Sequence, residues 1–201
     1  MQASAPRFRR LSGDDRRAEL IAAGLACLAR GGLPAFTVDN ICTEAGASRG
    51  LITHHFGSKD ALLTAVYSAM YDRTLARIAP GTGGPPDLPA LIEAVTSSEI
   101  LEREALRAWL ALWGEVAVNP DLRAAHRRNY GLYKDRIAAA IMAHAEPRNL
   151  SVDADELAVM FISLVDGLWL EWAIDPDRLS ADAALAMCQR LFEEQLGPLS
   201  P

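Results

Sequence analysis

The sequence predicts an all-α chain of about nine helices, divided into a short N-terminal unit and a larger helical body. Three observations carry that reading. Apolar residues recur three and four positions apart along most of the chain, the spacing of one helix face. Half of the 201 residues are hydrophobic, rich in alanine and leucine and poor in β-branched runs, which favours helix over strand. The interruptions are helix punctuation: Gly31-Gly32, Gly46, and a proline-glycine tract at 80–89.

Residues 1–13 (MQASAPRFRRLSG) read as a flexible basic tail. Arg7, Arg9 and Arg10 can touch phosphates or a minor groove, although short basic tails are more often merely solvated. A first helix is expected from about Asp14 to Arg30, with Ala18, Ile21, Ala22, Leu25 and Leu28 as its buried stripe. Asp14 and Asp15 suit its positive N-terminal end, and Gly31-Gly32 end it. The next stretch, Thr37 to Phe56 (TVDNICTEAGASRGLITHHF), organises the rest. Thr37 is a good N-cap, and Phe36 and Ile41 take the positions of a hydrophobic staple. Gly46 follows, where a left-handed backbone meets no Cβ. Ser48 is expected to cap a second short helix through Leu51, Ile52 and Phe56. Two short helices around a glycine turn are the helix-turn-helix plan, whose second helix enters the major groove. Together 14–57 form this unit, and Ser58 caps a connecting helix over 58–79, with Leu62, Leu63, Val66 and Met70 inward.

The body, 80–201, opens with the loop PGTGGPPDLP. Helices are expected over about 88–100, 102–118, 120–144, 152–174 and 180–196. Asn119-Pro120 is an N-cap with proline at N1, and Asp175-Pro176 closes the 152–174 helix. No internal repeat is visible.

The formal charge of −6 is unevenly spread. Residues 1–60 hold eight Lys/Arg against six acids, a balance of +2 that leaves −8 on the remainder. A mildly basic end on an acidic body suits one face turned to phosphates, although helical surfaces commonly vary by a few charges. Cys27, Cys42 and Cys188 are odd in number and far apart, so a disulfide framework is not expected and a reducing cytoplasm fits. The N-terminus lacks the apolar core of a signal peptide, and no run reads as the roughly 20 apolar residues of a bilayer span.

Several chemistries can be weighed. At the front of the second short helix, Arg49 is placed to read a guanine by a two-pronged bond. Ser48, Gly50 and Thr53 are small enough to let that helix sit deep, and His54 and His55 lie beside them. Thr37 and Lys59 stand at helix N-termini, which favour phosphate. Neighbouring helical residues point about 100° apart, so His54 and His55 do not form a metal pair. No zinc spacing is present. Neither a nucleophile elbow, a phosphate loop nor a dinucleotide fingerprint occurs, so no catalytic residue, metal or cofactor is expected. In the body, Trp109 and Trp113 share one helix, Trp169 and Trp172 another, and Tyr130 and Tyr133 a third, with His126 on the same stripe. These rings with a carboxylate, Asp166 or Glu115, can cage a cation; they can equally be core packing.

The stretch Arg17 to Leu63, containing AGASRGLITHHFGSKDALL, resembles the DNA-binding domain of the TetR family of transcriptional repressors. The resemblance rests on the joint spacing of Ala45-Gly46, Ser48, Gly50, Phe56, Ser58-Lys59-Asp60, Leu62 and Leu63. It departs at Cys42, where alanine is usual, and at His54, where tyrosine is common. The segments ALRAWLALWGEVAVNPDLRAAHRRNYGLYKDRI and LVDGLWLEWAI are similar to the effector domain of the BetI-like, choline-responsive subgroup. The resemblance implies a TetR-like fold and a ligand-responsive repressor that binds a palindromic operator in double-stranded DNA. It implies Thr37, Ser48, Arg49, Gly50, Thr53, His54, His55 and Lys59 at the DNA. It also implies a homodimer through helices about 152–174 and 180–196. A small-molecule effector, such as a quaternary ammonium compound, would lie among Trp109, Trp113, His126, Tyr130, Tyr133, Asp166 and Trp169. The alternatives are a DNA-binding regulator with no effector, a helical enzyme, and a helical scaffold.

Overall fold

The computed structural model describes residues 12–78, 84–97, 103–175 and 177–199. Among them are nine α-helices and no strand. They are α1 (Gly13–Ala35), α2 (Val38–Ala45), α3 (Arg49–Phe56), α4 (Lys59–Ile78), α5 (Leu88–Thr96), α6 (Arg103–Val116), α7 (Pro120–Ala145), α8 (Ala154–Ile174) and α9 (Ala181–Leu196). The arginines of the tail, the start of the proline-glycine loop, residues 98–102 and Pro176 lie outside the described residues.

Local chemistry sets the boundaries. Ser12, read above as tail, caps α1: the Asp15 amide donates to its Oγ at 3.0 Å, while its own amide donates to Asp15 Oδ2 at 3.3 Å. This reciprocal pair satisfies two otherwise orphaned donors. Gly31 and Gly32 leave helical geometry, Gly32 at φ 63°, so the regular part of α1 stops at Arg30 and one further turn reaches Ala35. Thr37 Oγ1 accepts from the Asn40 amide at 3.2 Å to start α2. Gly46 ends α2 at φ 56°, ψ 38°, the left-handed conformation that glycine enters without strain. Ser58 Oγ accepts from the Ala61 amide at 3.0 Å. Asp87, Asn119, Asp153 and Ser180 cap α5, α7, α8 and α9. Ser48 departs from expectation. It heads α3 but makes no side-chain cap bond. It is exposed, where water can serve the first-turn amides instead.

α1 lies across α2 and α4, and α3 rests on α4. The contact of α1 with α4 is close because residue 24 has no side chain. A Cβ there would stand 2.9 Å from Val66 Cγ2 and 3.0 Å from the Phe36 ring. α1 also packs on α6, and α4 continues onto α5 and α7. In the body α8 packs on α6, α7 and α9. The buried residues form one continuous core from Leu20 to Leu199, so the small unit is not a separate bead on a linker.

Two helices, α1 and α8, are long and apolar enough by length and composition to cross a bilayer, which the sequence reading did not register. In both, part of that apolar length is buried inside the chain. Leu20, Cys27 and Leu28 of α1, and Leu157, Phe161 and Val165 of α8, are buried in the core.

Candidate nucleic-acid interface and internal cavity

α3 is clamped by its own apolar side. Ile52 is buried, Leu51 and Phe56 are half-buried, and the guanidinium of Arg17 lies 4.9 Å from the Phe56 ring centre. The opposite side is open. Ser48, Arg49, Gly50, Thr53 and His54 are exposed, as are Thr37 at the head of α2 and Lys59 at the head of α4. His55 is half-buried, with its ring 5.0 Å from that of His54 and 6.4 Å from that of Phe56. Arg49, the first residue of α3, is ion-paired with Asp39 on α2. Such a surface suits contact with an extended anionic partner: blunt residues at the helix front, one planar cation, and two helix N-termini nearby.

The second site lies inside the body. Tyr71 and Thr74 of α4, Trp109 and Trp113 of α6, Tyr133 of α7, and Ile162, Asp166 and Trp169 of α8 surround one cavity. Trp109 is the hub: its ring centre is 5.0 Å from Tyr71, 5.8 Å from Tyr67, 6.2 Å from Trp113 and 6.3 Å from Trp169. Trp169 Nε1 donates to the Val95 carbonyl at 3.2 Å, which pins its ring. The free space is about 10 Å³, close to what a single water requires. Burial among these rings pushes the Asp166 carboxyl up to about 6, because the charged form is poorly solvated there. Burial first, then the same carboxylate, raises the Tyr133 hydroxyl as well. Tyr133 Oη is buried and makes no hydrogen bond.

Five of the seven sequence candidates therefore meet at this cavity: Trp109, Trp113, Tyr133, Asp166 and Trp169. His126 and Tyr130 stand beside it, 5.4 Å apart ring to ring, and Glu115 is not among its lining residues. His126 connects to the lining through α4: Tyr67 Oη lies 2.7 Å and Tyr71 Oη 3.5 Å from its Nδ1. Burial lowers the His126 pKa, because the charged ring is poorly solvated there. Nδ1 and the two hydroxyls form one polar group between α4 and α7, in which the ring tautomer sets who donates. Asn129 Nδ2 adds a second link between α7 and α4 by donating to Ser68 Oγ at 3.1 Å. Sequence reasoning missed Tyr67, Tyr71 and Thr74. Their spacing of four and three residues places them on one helix face, a signal masked by the stronger aliphatic stripe of Leu62, Leu63, Val66 and Met70 beside it. No cluster of three His, Cys, Asp or Glu residues capable of holding a metal occurs among the described residues.

Comparison with known proteins bears on both sites. A family model described as bacterial regulatory proteins, tetR family, matches residues 20–66, and one described as BetI-type transcriptional repressor, C-terminal, matches residues 86–197. The HTH-type transcriptional regulator BetI of Burkholderia mallei (strain NCTC 10229) is 31% identical over 188 residues, spanning 91% of this chain and 94% of its own. BetI 1 of Chromohalobacter salexigens is 31% identical over 187 residues, spanning 90% of each. Among solved structures, a transcriptional regulator from Pseudomonas aeruginosa PAO1 superposes with a TM-score of 0.80 at 36% identity, covering 94% of this chain and 93% of its own. A regulator from Saccharomonospora viridis, solved in complex with choline, has a TM-score of 0.72 at 22% identity, covering 91% of this chain and 98% of its own. The last of these attests the fold alone.

Proposed function

Because this chain belongs to the TetR family of transcriptional regulators and carries a BetI-type C-terminal part, we propose that it is a homodimeric, cation-released repressor. Members of the family bind DNA to regulate transcription, and this chain is a regulator rather than an enzyme. Two α3 helices, about 34 Å apart across a dimer, would enter successive major grooves of a near-palindromic operator in the cytoplasm. Thr37, Ser48, Arg49, Gly50, Thr53, His54, His55 and Lys59 would supply the contacts.

One observation carries the effector reading: a single carboxylate, Asp166, faces a cavity walled by Tyr71, Trp109, Trp113, Tyr133 and Trp169. Ring faces attract a quaternary ammonium group, and a partly desolvated carboxylate strengthens the attraction. The choline complex of the Saccharomonospora viridis neighbour agrees with that chemistry. At about 10 Å³ the cavity holds nothing larger than water. A ligand would therefore have to displace its walls, and Tyr71 and Thr74 are walls that belong to α4, the helix leading to the reading head. Differential affinity for the displaced and undisplaced states is what would couple the cavity to the operator.

The dimer reading rests on α8. Val159, Met160, Leu170 and Ile174 are 40–68% exposed and share one stripe with Ser163 and Gly167. Met187 of α9 is exposed as well. A second copy would cover that apolar surface in a four-helix interface.

The test is titration with choline chloride. It is expected to raise the melting temperature and release fluorescently labelled operator in one concentration range. The small volume of the cavity favours one competing reading, a regulator with no effector. No thermal shift with choline or with other small cations would decide for that reading.

A further inference from the structure

An acidic side chain stands on the surface assigned to DNA. Asp39 is the second residue of α2, and its carboxylate is ion-paired with Arg49, the first residue of α3. Both side chains are largely exposed, 66% and 72%. A pair so exposed adds little to the fold. The same carboxylate also opposes every phosphate that approaches it. We propose that Asp39 is a specificity-determining partner of Arg49. It holds the guanidinium fork in its base-reading pose and keeps that fork from settling on backbone phosphates. The proposal rests on the reading of α3 as the DNA-reading helix.

The donor inventory supports the role. A guanidinium carries five N–H groups in a rigid plane. The ion pair lies between Nη2 and Asp39 Oδ1. It uses a single guanidinium nitrogen, so N–H groups remain for the O6 and N7 of a guanine, and carboxylate and base can be held together. Without Asp39 the long side chain is free to meet whichever phosphate is nearest. That contact adds affinity and carries no sequence information. Asp39 would thus lower indiscriminate binding while leaving the guanine contact already oriented.

The experiment uses the full-length protein and two duplexes. One is selected by the wild-type protein from a random pool; the other is a scramble of the same length and composition. Binding is followed by fluorescence anisotropy over a range of salt. Asp39→Ala and Asp39→Asn are expected to keep the wild-type melting temperature within about a degree. They should bind the scramble about two- to fivefold more tightly and lose discrimination by a similar factor. Their salt dependence should steepen by about one phosphate contact. In an Arg49→Ala background the same changes should disappear. Unchanged discrimination in Asp39→Ala overturns the proposal. So does an equal gain on both duplexes, or an effect that persists without Arg49, since each would mean simple repulsion and not pairing. The Arg49→Ala single variant separates the two levels. If it discriminates as wild type does, the reading of α3 falls. If it loses discrimination while Asp39→Ala does not, only the role of Asp39 falls.

Discussion

Asp166 sits among tryptophan and tyrosine rings with its carboxyl raised to about 6, against roughly 3.9 for an unfolded aspartate. Between those values the native state binds more protons than the unfolded state. Stability therefore falls as pH rises through that window and stays lower above it. Asp166→Asn is expected to stabilise the protein at pH 8 by about 1–2 kcal/mol and to flatten the window, as read by thermal melts at pH 4.5 and pH 8. Only the ionised carboxylate attracts a cation, so choline affinity should drop as pH falls through about 6. The Asp166→Asn protein should show weak affinity with no such pH dependence, which calorimetry at several pH values would measure. On the outer surface, Arg49→Ala should cost roughly 1–3 kcal/mol of operator binding, with an unchanged melting profile. The placement of Arg49 at the head of α3 and of Asp166 among the tryptophans was legible in the sequence, because each stands inside a motif whose neighbours declare its setting. Asp39 was not, because its pairing spans two helices whose relative placement the sequence does not display.

At the scale of helices, α1 and α4 approach as closely as they do because residue 24 is glycine. Gly24→Ala gains about 1 kcal/mol of helix preference but crowds Val66 and Phe36, a loss of about 1–3 kcal/mol. The net expectation is destabilisation, read as an earlier denaturant midpoint. α4 also answers to α7. Tyr67→Phe removes the hydroxyl that lies 2.7 Å from His126 Nδ1, and should cost about 1 kcal/mol in denaturant unfolding. Helix boundaries were readable at Thr37, Asn119 and Ser180, whose side chains cap α2, α7 and α9, but not at Ser12, whose cap lies in what reads as a tail. They misled at Ser48, whose position suits a cap but whose hydroxyl makes no cap bond. The aromatic residues of α4 escaped for a different reason. Tyr67 and Tyr71 are buried on the side facing α6 and α7, while Val66, on the aliphatic stripe beside them, faces Gly24 of α1. A helix with two buried sides has no single period to find.

Across the whole molecule, the apolar stripe of α8 carries the assembly prediction. Met160→Glu, on a residue 46% exposed, should leave the protomer folded and shift sedimentation to the monomer. Operator affinity should fall with it, because one reading head cannot span two grooves. The continuous core has its own consequence for anyone grafting reading heads between relatives. The 14–57 unit shares its packing with the rest of the chain along the seams where α1 meets α6 and α4. A chimera joined at residue 57 would take α1 from one parent and both α4 and α6 from the other, so each seam would be split. Such a hybrid should melt in two steps unless the residues on the far side of both seams are transplanted with the head.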